Sequence, residues 1–128
     1  MDERLRPESW RAVRAQRRGV QAVAVRELET AEAEVRDIEQ RLHQLMGRLE
    51  DLQARRSLPT TGAVTRARLL ESDHRARRRA GDARRRLSAE IEALRVELEG
   101  AEARAAAALD AVADATYALG RLDELKPR

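Results

Sequence analysis

The feature that most constrains this chain is the spacing of its apolar residues. Leu28, Ala31, Val35, Ile38, Leu42, Leu45, Leu49 and Leu52 follow one another at steps of 3, 4, 3, 4, 3, 4 and 3 residues, and the second half repeats the device. There Leu87, Ile91, Leu94, Leu98, Ala101, Ala105, Ala108, Val112, Ala115, Leu119 and Leu122 alternate steps of 4 and 3 without a miss. Such alternation is the a/d seam of a coiled coil. A helix carrying one narrow apolar stripe needs a second stripe to cover it, and one chain with two such runs can supply both. Upstream, apolar residues continue in a shifted frame through Trp10, Val13, Val20 and Ala24, and through Leu69, Ala76, Ala80 and Ala83. Consecutive steps of 4 at 20-24-28 and 83-87-91 read as stutters that locally unwind a left-handed supercoil.

One stretch interrupts both patterns. In "SLPTTG", residues 57–62, Pro59 disfavours helix at Leu58, Gly62 permits positive φ, and Thr60 or Thr61 can cap a new helix. The pentapeptide matches a sortase signal. It sits mid-chain before a charged amphipathic segment, however, so it reads as a reversal of direction. Pro7 suits a first helical turn, with Glu8 favoured there by the helix dipole, and Pro127 lies beyond the last seam residue. The expectation is a single all-α domain, an antiparallel two-helix coiled-coil hairpin forming an elongated rod: helix 7–56, turn 57–62, helix 63–124.

Charge blocks suggest a register. Residues 27–53 carry three Arg against eight acids, 54–86 carry eleven Arg against three acids, and 87–124 carry three Arg against nine acids. A turn centred near residue 60 sets position i against about 120 − i, so that basic and acidic blocks meet over most of the length. This favours a monomeric hairpin over a parallel dimer. In that register Trp10 faces Ala108 to Val112 and fills a shallow Ala-lined groove, with the alternative of a partner-facing anchor. Tyr117 lies near the open end. Gly19 and Gly100 come level with each other, and His43 and His74 approach across the hairpin.

Chemistry is sparse. With no Cys there is no disulfide framework and no thiolate metal site, and two His without an acidic cluster read as surface residues. Gly62 lacks the Lys-Ser/Thr that completes a phosphate loop, and Ser9, Ser57, Ser72 and Ser88 have no His-Asp context. The chain is therefore expected to be non-enzymatic, with no catalytic residue, cofactor or metal. The N-terminus shows no apolar signal core, and no run approaches the length of a membrane span, so a soluble, cytoplasmic protein is expected. The 25 Arg against one Lys read as codon bias rather than selection. The stretch "RARLLESDHRARRRAGDARRR", residues 66–86, could follow a nucleic-acid backbone. It has no aromatic residue for base stacking. In the expected register Glu27, Glu29, Glu32, Glu34, Asp37 and Glu39 also face part of it, so compensation within the chain or an acidic protein surface is preferred.

With "TGAVTRARLL" opening the second helix and "AALDAVADATYALGRLDELKPR" closing it through Ala118, Leu119, Leu122 and Leu125, the chain resembles the FliJ/YscO family, the central stalk proteins of type III secretion. The resemblance spans the whole chain. It implies an antiparallel coiled coil whose termini-bearing end enters the secretion ATPase hexamer. The hairpin then contacts the cytoplasmic ring of the export gate, and secretion chaperones are further partners. By position, Arg11, Arg14, Arg18, Tyr117 and Arg121 would lie at the ATPase end, and Leu69, Leu70, Asp73, His74 and Arg77 toward the gate. Flagellar members present an aromatic residue in the latter region, where this chain has Leu and Arg. The alternatives are a structural coiled-coil scaffold and an Arg-rich nucleic-acid binder.

Overall fold

The computed structural model describes residues 6–56 and 67–127, and for Arg56 and residues 67–72 the backbone alone. The chain is all-α. Helix α1 (Pro7–Arg56, 50 residues) and helix α2 (Ala67–Asp123, 57 residues) pack against each other as a helical hairpin, with no strand among the described residues. The expected turn at 57–62 and the start of the second helix at 63 lie outside the described residues. Arg6 supplies the carbonyl that accepts the first helical bond, from Trp10 N–H at 2.8 Å, so Pro7 occupies a position where its missing N–H costs nothing. At the other terminus Leu125 N–H and Lys126 N–H bond back to Leu122 O and Asp123 O, tightening the last turn before Pro127.

Contacts group the chain into two compact units, Met1–Arg36 with Glu99–Arg128, and Asp37–Leu98. In the first, the pairings run antiparallel: Trp10 to Leu122, Arg17 to Ala118, Gln21 to Thr116 and Glu34 to Arg104. Partner numbers therefore add to between 132 and 138, not about 120. Trp10 accordingly sits against Leu122 and not against Ala108 to Val112, and Gly19, near the level of Ala118, is not level with Gly100. The earlier register assumed a reversal symmetric about residue 60; the packing of the two seams sets it instead.

The seams themselves are where the apolar spacing puts them. Ala24, Ala31, Ile38, Ile91, Ala101, Ala115 and Leu122 are buried, and the seam residues between them from Leu28 to Leu52 and from Leu87 to Leu119 are half-buried. The stutter at 20-24-28 is absent. Val20 is 56% exposed, while Trp10, Arg14, Arg17 and Gln21 are buried or half-buried. The heptad thus keeps its phase back to Trp10 by accepting polar residues, of which Arg17 and Gln21 reach hydrogen-bond partners and Arg14 an ion pair with Asp123. Near the start of α2, Ala80, Gly81, Ala83 and Arg84 share the half-buried side, and Ala76 is exposed. Much of the core is Ala, which brings backbones close but buries little area. The larger Ile38, Ile91 and Leu122 therefore carry disproportionate weight, about 1.5–3 kcal/mol each.

In the second unit, Met46, Leu49, Glu50 and Gln53 line one groove with Ser88, Ile91, Glu92 and Arg95. Arg56, three residues past Gln53, therefore ends α1 near the middle 80s of α2. His74 to Arg79 are all exposed, and Asp73 and Ala80 on either side of them are half-buried.

Candidate interaction surfaces

The best-built local arrangement is the end of the first unit. The Trp10 ring is 9% exposed, and its Nε1–H donates to Leu122 O at 3.0 Å, across the two helices. The Arg14 guanidinium lies 5.5 Å from the ring centroid and the Lys126 ammonium 5.9 Å, so the indole face is covered by cations as well as packed. Arg14 Nε, 3.5 Å from Asp123 Oδ1, makes an ion pair without hydrogen-bond geometry. One turn further on, Arg17 donates to Ala118 O at 3.0 Å and Gln21 to Thr116 Oγ1 at 3.1 Å. Arg17 and Gln21 thus lay their stems along the partner helix and satisfy their head groups there. Trp10 has the structural role, a cap that ties the start of α1 to the end of α2.

The residues assigned to the ATPase end all fall in this unit but divide into different roles. Arg14 is half-buried against Trp10. Arg11 and Arg18, seven residues apart on one side of α1, are exposed. Tyr117 is 69% exposed on the outer side of α2, four residues from Arg121, which pairs with Glu124 at 3.4 Å. Of the residues assigned to the gate side, Leu69 and Leu70 lie in the first turn of α2 with side chains outside the described set. Asp73 pairs with Arg77 at 3.1 Å, and His74 is exposed. All five belong to the first three turns of α2. Sequence reasoning missed Arg17, Gln21 and Lys126. For the first two a signal existed: counting back from Leu28 in strict heptads reaches Ala24, Gln21, Arg17, Arg14 and Trp10.

The unit also has an open groove of 580 Å³ flanked by Val23, Thr30 and Ala31 on α1 and Ala107, Ala108 and Ala111 on α2, closed at one side by the Glu34–Arg104 pair at 2.7 Å. Two further expectations are corrected in the second unit. His43 lies three residues before Met46, so the antiparallel pairing of Met46 to Gln53 with Ser88 to Arg95 sets it against α2 beyond Arg95, and not against His74. The acids expected to face the basic stretch do not do so either. Glu34 pairs with Arg104, and alongside Met46 to Gln53 lie Ser88, Ile91, Glu92 and Arg95, beyond the basic stretch. Among the described residues no three His, Cys, Asp or Glu side chains are grouped to hold a metal, and no helix is long and apolar enough to cross a membrane. Comparison of the chain with family models, curated proteins and solved structures gives no match.

Proposed function

We propose that this chain is a non-catalytic, cytoplasmic, monomeric stalk of the FliJ/YscO kind, which engages the secretion ATPase hexamer through the end bearing its termini and the export gate through the start of α2. The observation that carries this reading is the pinned end. Trp10, Leu122, Arg14 and Lys126 hold the first turn of α1 to the last turn of α2, leaving Arg11, Arg18, Tyr117 and Arg121 around a terminus that resists fraying. A helix end entering a ring needs this firmness. Exposed, salt-screened Arg contacts are weak enough to be exchanged from one subunit to the next. The start of α2, with His74 and Arg77 exposed and Asp73 half-buried, supports a second contact. Chaperone escort would use the same accessible helix surface.

The test is co-purification of the full chain with a secretion ATPase at low salt, with ATP turnover as a second readout. Retention of the hexamer, stimulated hydrolysis, and loss of both in Arg11→Glu with Arg18→Glu are expected. No retention of any such ATPase, or a stable dimer that ignores it, would refute the reading and leave a structural scaffold.

A further inference from the structure

One side of α2 carries a run of exposed Arg side chains. Helical geometry sets Arg75, Arg79 and Arg86 in one row and Arg78 and Arg85 in the next, both on the side of α2 turned away from Ala80, Ala83 and Leu87. All five are exposed, over roughly 16 Å of helix at 1.5 Å per residue. Between Arg75 and Arg86 the one acid, Asp82, hydrogen-bonds Arg85, and Asp73 pairs with Arg77 nearer the start of the helix. Such exposed pairs are worth little and leave most of the positive field intact.

The chemistry of the face narrows what would cover it. A protein partner needs an apolar or aromatic centre to desolvate, and between Asp73 and Arg86 the outward residues include none. A membrane-surface helix needs large apolar residues opposite its cations, and here the opposite side is Ala80 and Ala83 leading into the seam. Single-stranded nucleic acid is held by aromatic stacking, which this stretch also lacks. Duplex backbones require closely spaced cations on a firm support, and interfaces with them are polar and strongly positive. We infer that the face formed by Arg75, Arg78, Arg79, Arg85 and Arg86 binds the phosphodiester backbone of double-stranded nucleic acid without reading its sequence. This surface is independent of the ATPase-directed end.

Fluorescence anisotropy of the full chain with a short labelled duplex of arbitrary sequence, as DNA and as RNA, tests this. If about three to five phosphates are neutralised, affinity falls about 40- to 500-fold between 50 and 200 mM salt. The triple variant Arg75→Gln, Arg78→Gln, Arg79→Gln keeps good helix formers, so its circular dichroism stays unchanged while the log–log salt slope drops by about 2.7. The triple variant Arg36→Gln, Arg41→Gln, Arg48→Gln on α1 retains the parental slope. No binding at 50 mM salt, an unaltered slope in the first triple variant, or an equal loss in the second would overturn the proposal. So would competition by polyglutamate as effective as by duplex, which indicates an acidic protein. Sedimentation with phosphatidylserine vesicles under salt where duplex is not bound would assign the face to membranes instead.

Discussion

Replacing Trp10 tests whether one side chain holds the two chain ends together. Trp10→Ala removes a ring that is 9% exposed, its hydrogen bond to Leu122 O, and its contacts with two cations. Buried Trp→Ala changes cost about 3–5 kcal/mol. The lower end applies here, because the site is at a terminus and Leu122 O keeps the Leu125 N–H at 2.9 Å, so no carbonyl is orphaned. Trp10→Phe keeps most of the ring and loses mainly the hydrogen bond, about 1 kcal/mol. For a domain of this size each kcal/mol moves Tm by about 4 °C, giving losses of about 12 °C and about 4 °C. Thermal melts by circular dichroism read these shifts. Hydrogen exchange should place the added opening at residues 7–20 and 115–125. A Trp10→Ala protein melting within about 1 °C of the parent, with unchanged exchange at those amides, would refute the cap.

The other predictions concern the seam. Gln21→Leu should stabilise by about 1 kcal/mol, by putting an apolar side chain on an uninterrupted heptad position, whereas Val20→Gln should change stability by less than about 0.5 kcal/mol; the reverse order in chemical denaturation would restore the stutter. Ile91→Ala, at a site 4% exposed, should cost about 2–3 kcal/mol by the same assay. Gly19→Ala, Gly47→Ala and Gly120→Ala each meet nothing within 4 Å of the new methyl and should each add about 0.5–1 kcal/mol. An absence of any gain in Tm for all three would contradict their helical, uncrowded setting.

The fold class was legible because a 3-4 alternation has few alternative meanings, and Pro7 marked where α1 could begin. The register was not legible, since it depends on how Ala-rich and Leu-rich layers nest and not on block charge, and charge matching misplaced both Trp10 and the acids near the Arg stretch. Following apolar residues also led to Val20. Arg17 and Gln21 hold the seam positions because long stems can pack while their heads reach Ala118 O and Thr116 Oγ1. Of the residues named for partner contacts, Arg11, Arg18, Tyr117 and Arg121 could be located near the termini from topology alone. Arg14 could not be separated from them without seeing it stacked on Trp10. The Arg stretch 66–86 was legible in the sequence, but which of its side chains share the exposed side of α2 was not, since that depends on which neighbouring residues are half-buried.

The register is the claim on which the capped end depends, and paired cysteines test it directly because the chain has no Cys of its own. Glu34→Cys with Arg104→Cys replaces the ion pair at 2.7 Å and should join efficiently within one molecule under a short thiol crosslinker. Gln16→Cys with Arg104→Cys, the pair that a register summing to 120 would bring level, should stay open. Crosslinking of 16 to 104 in preference to 34 to 104, or products only at the mass of a dimer, would contradict the hairpin described above.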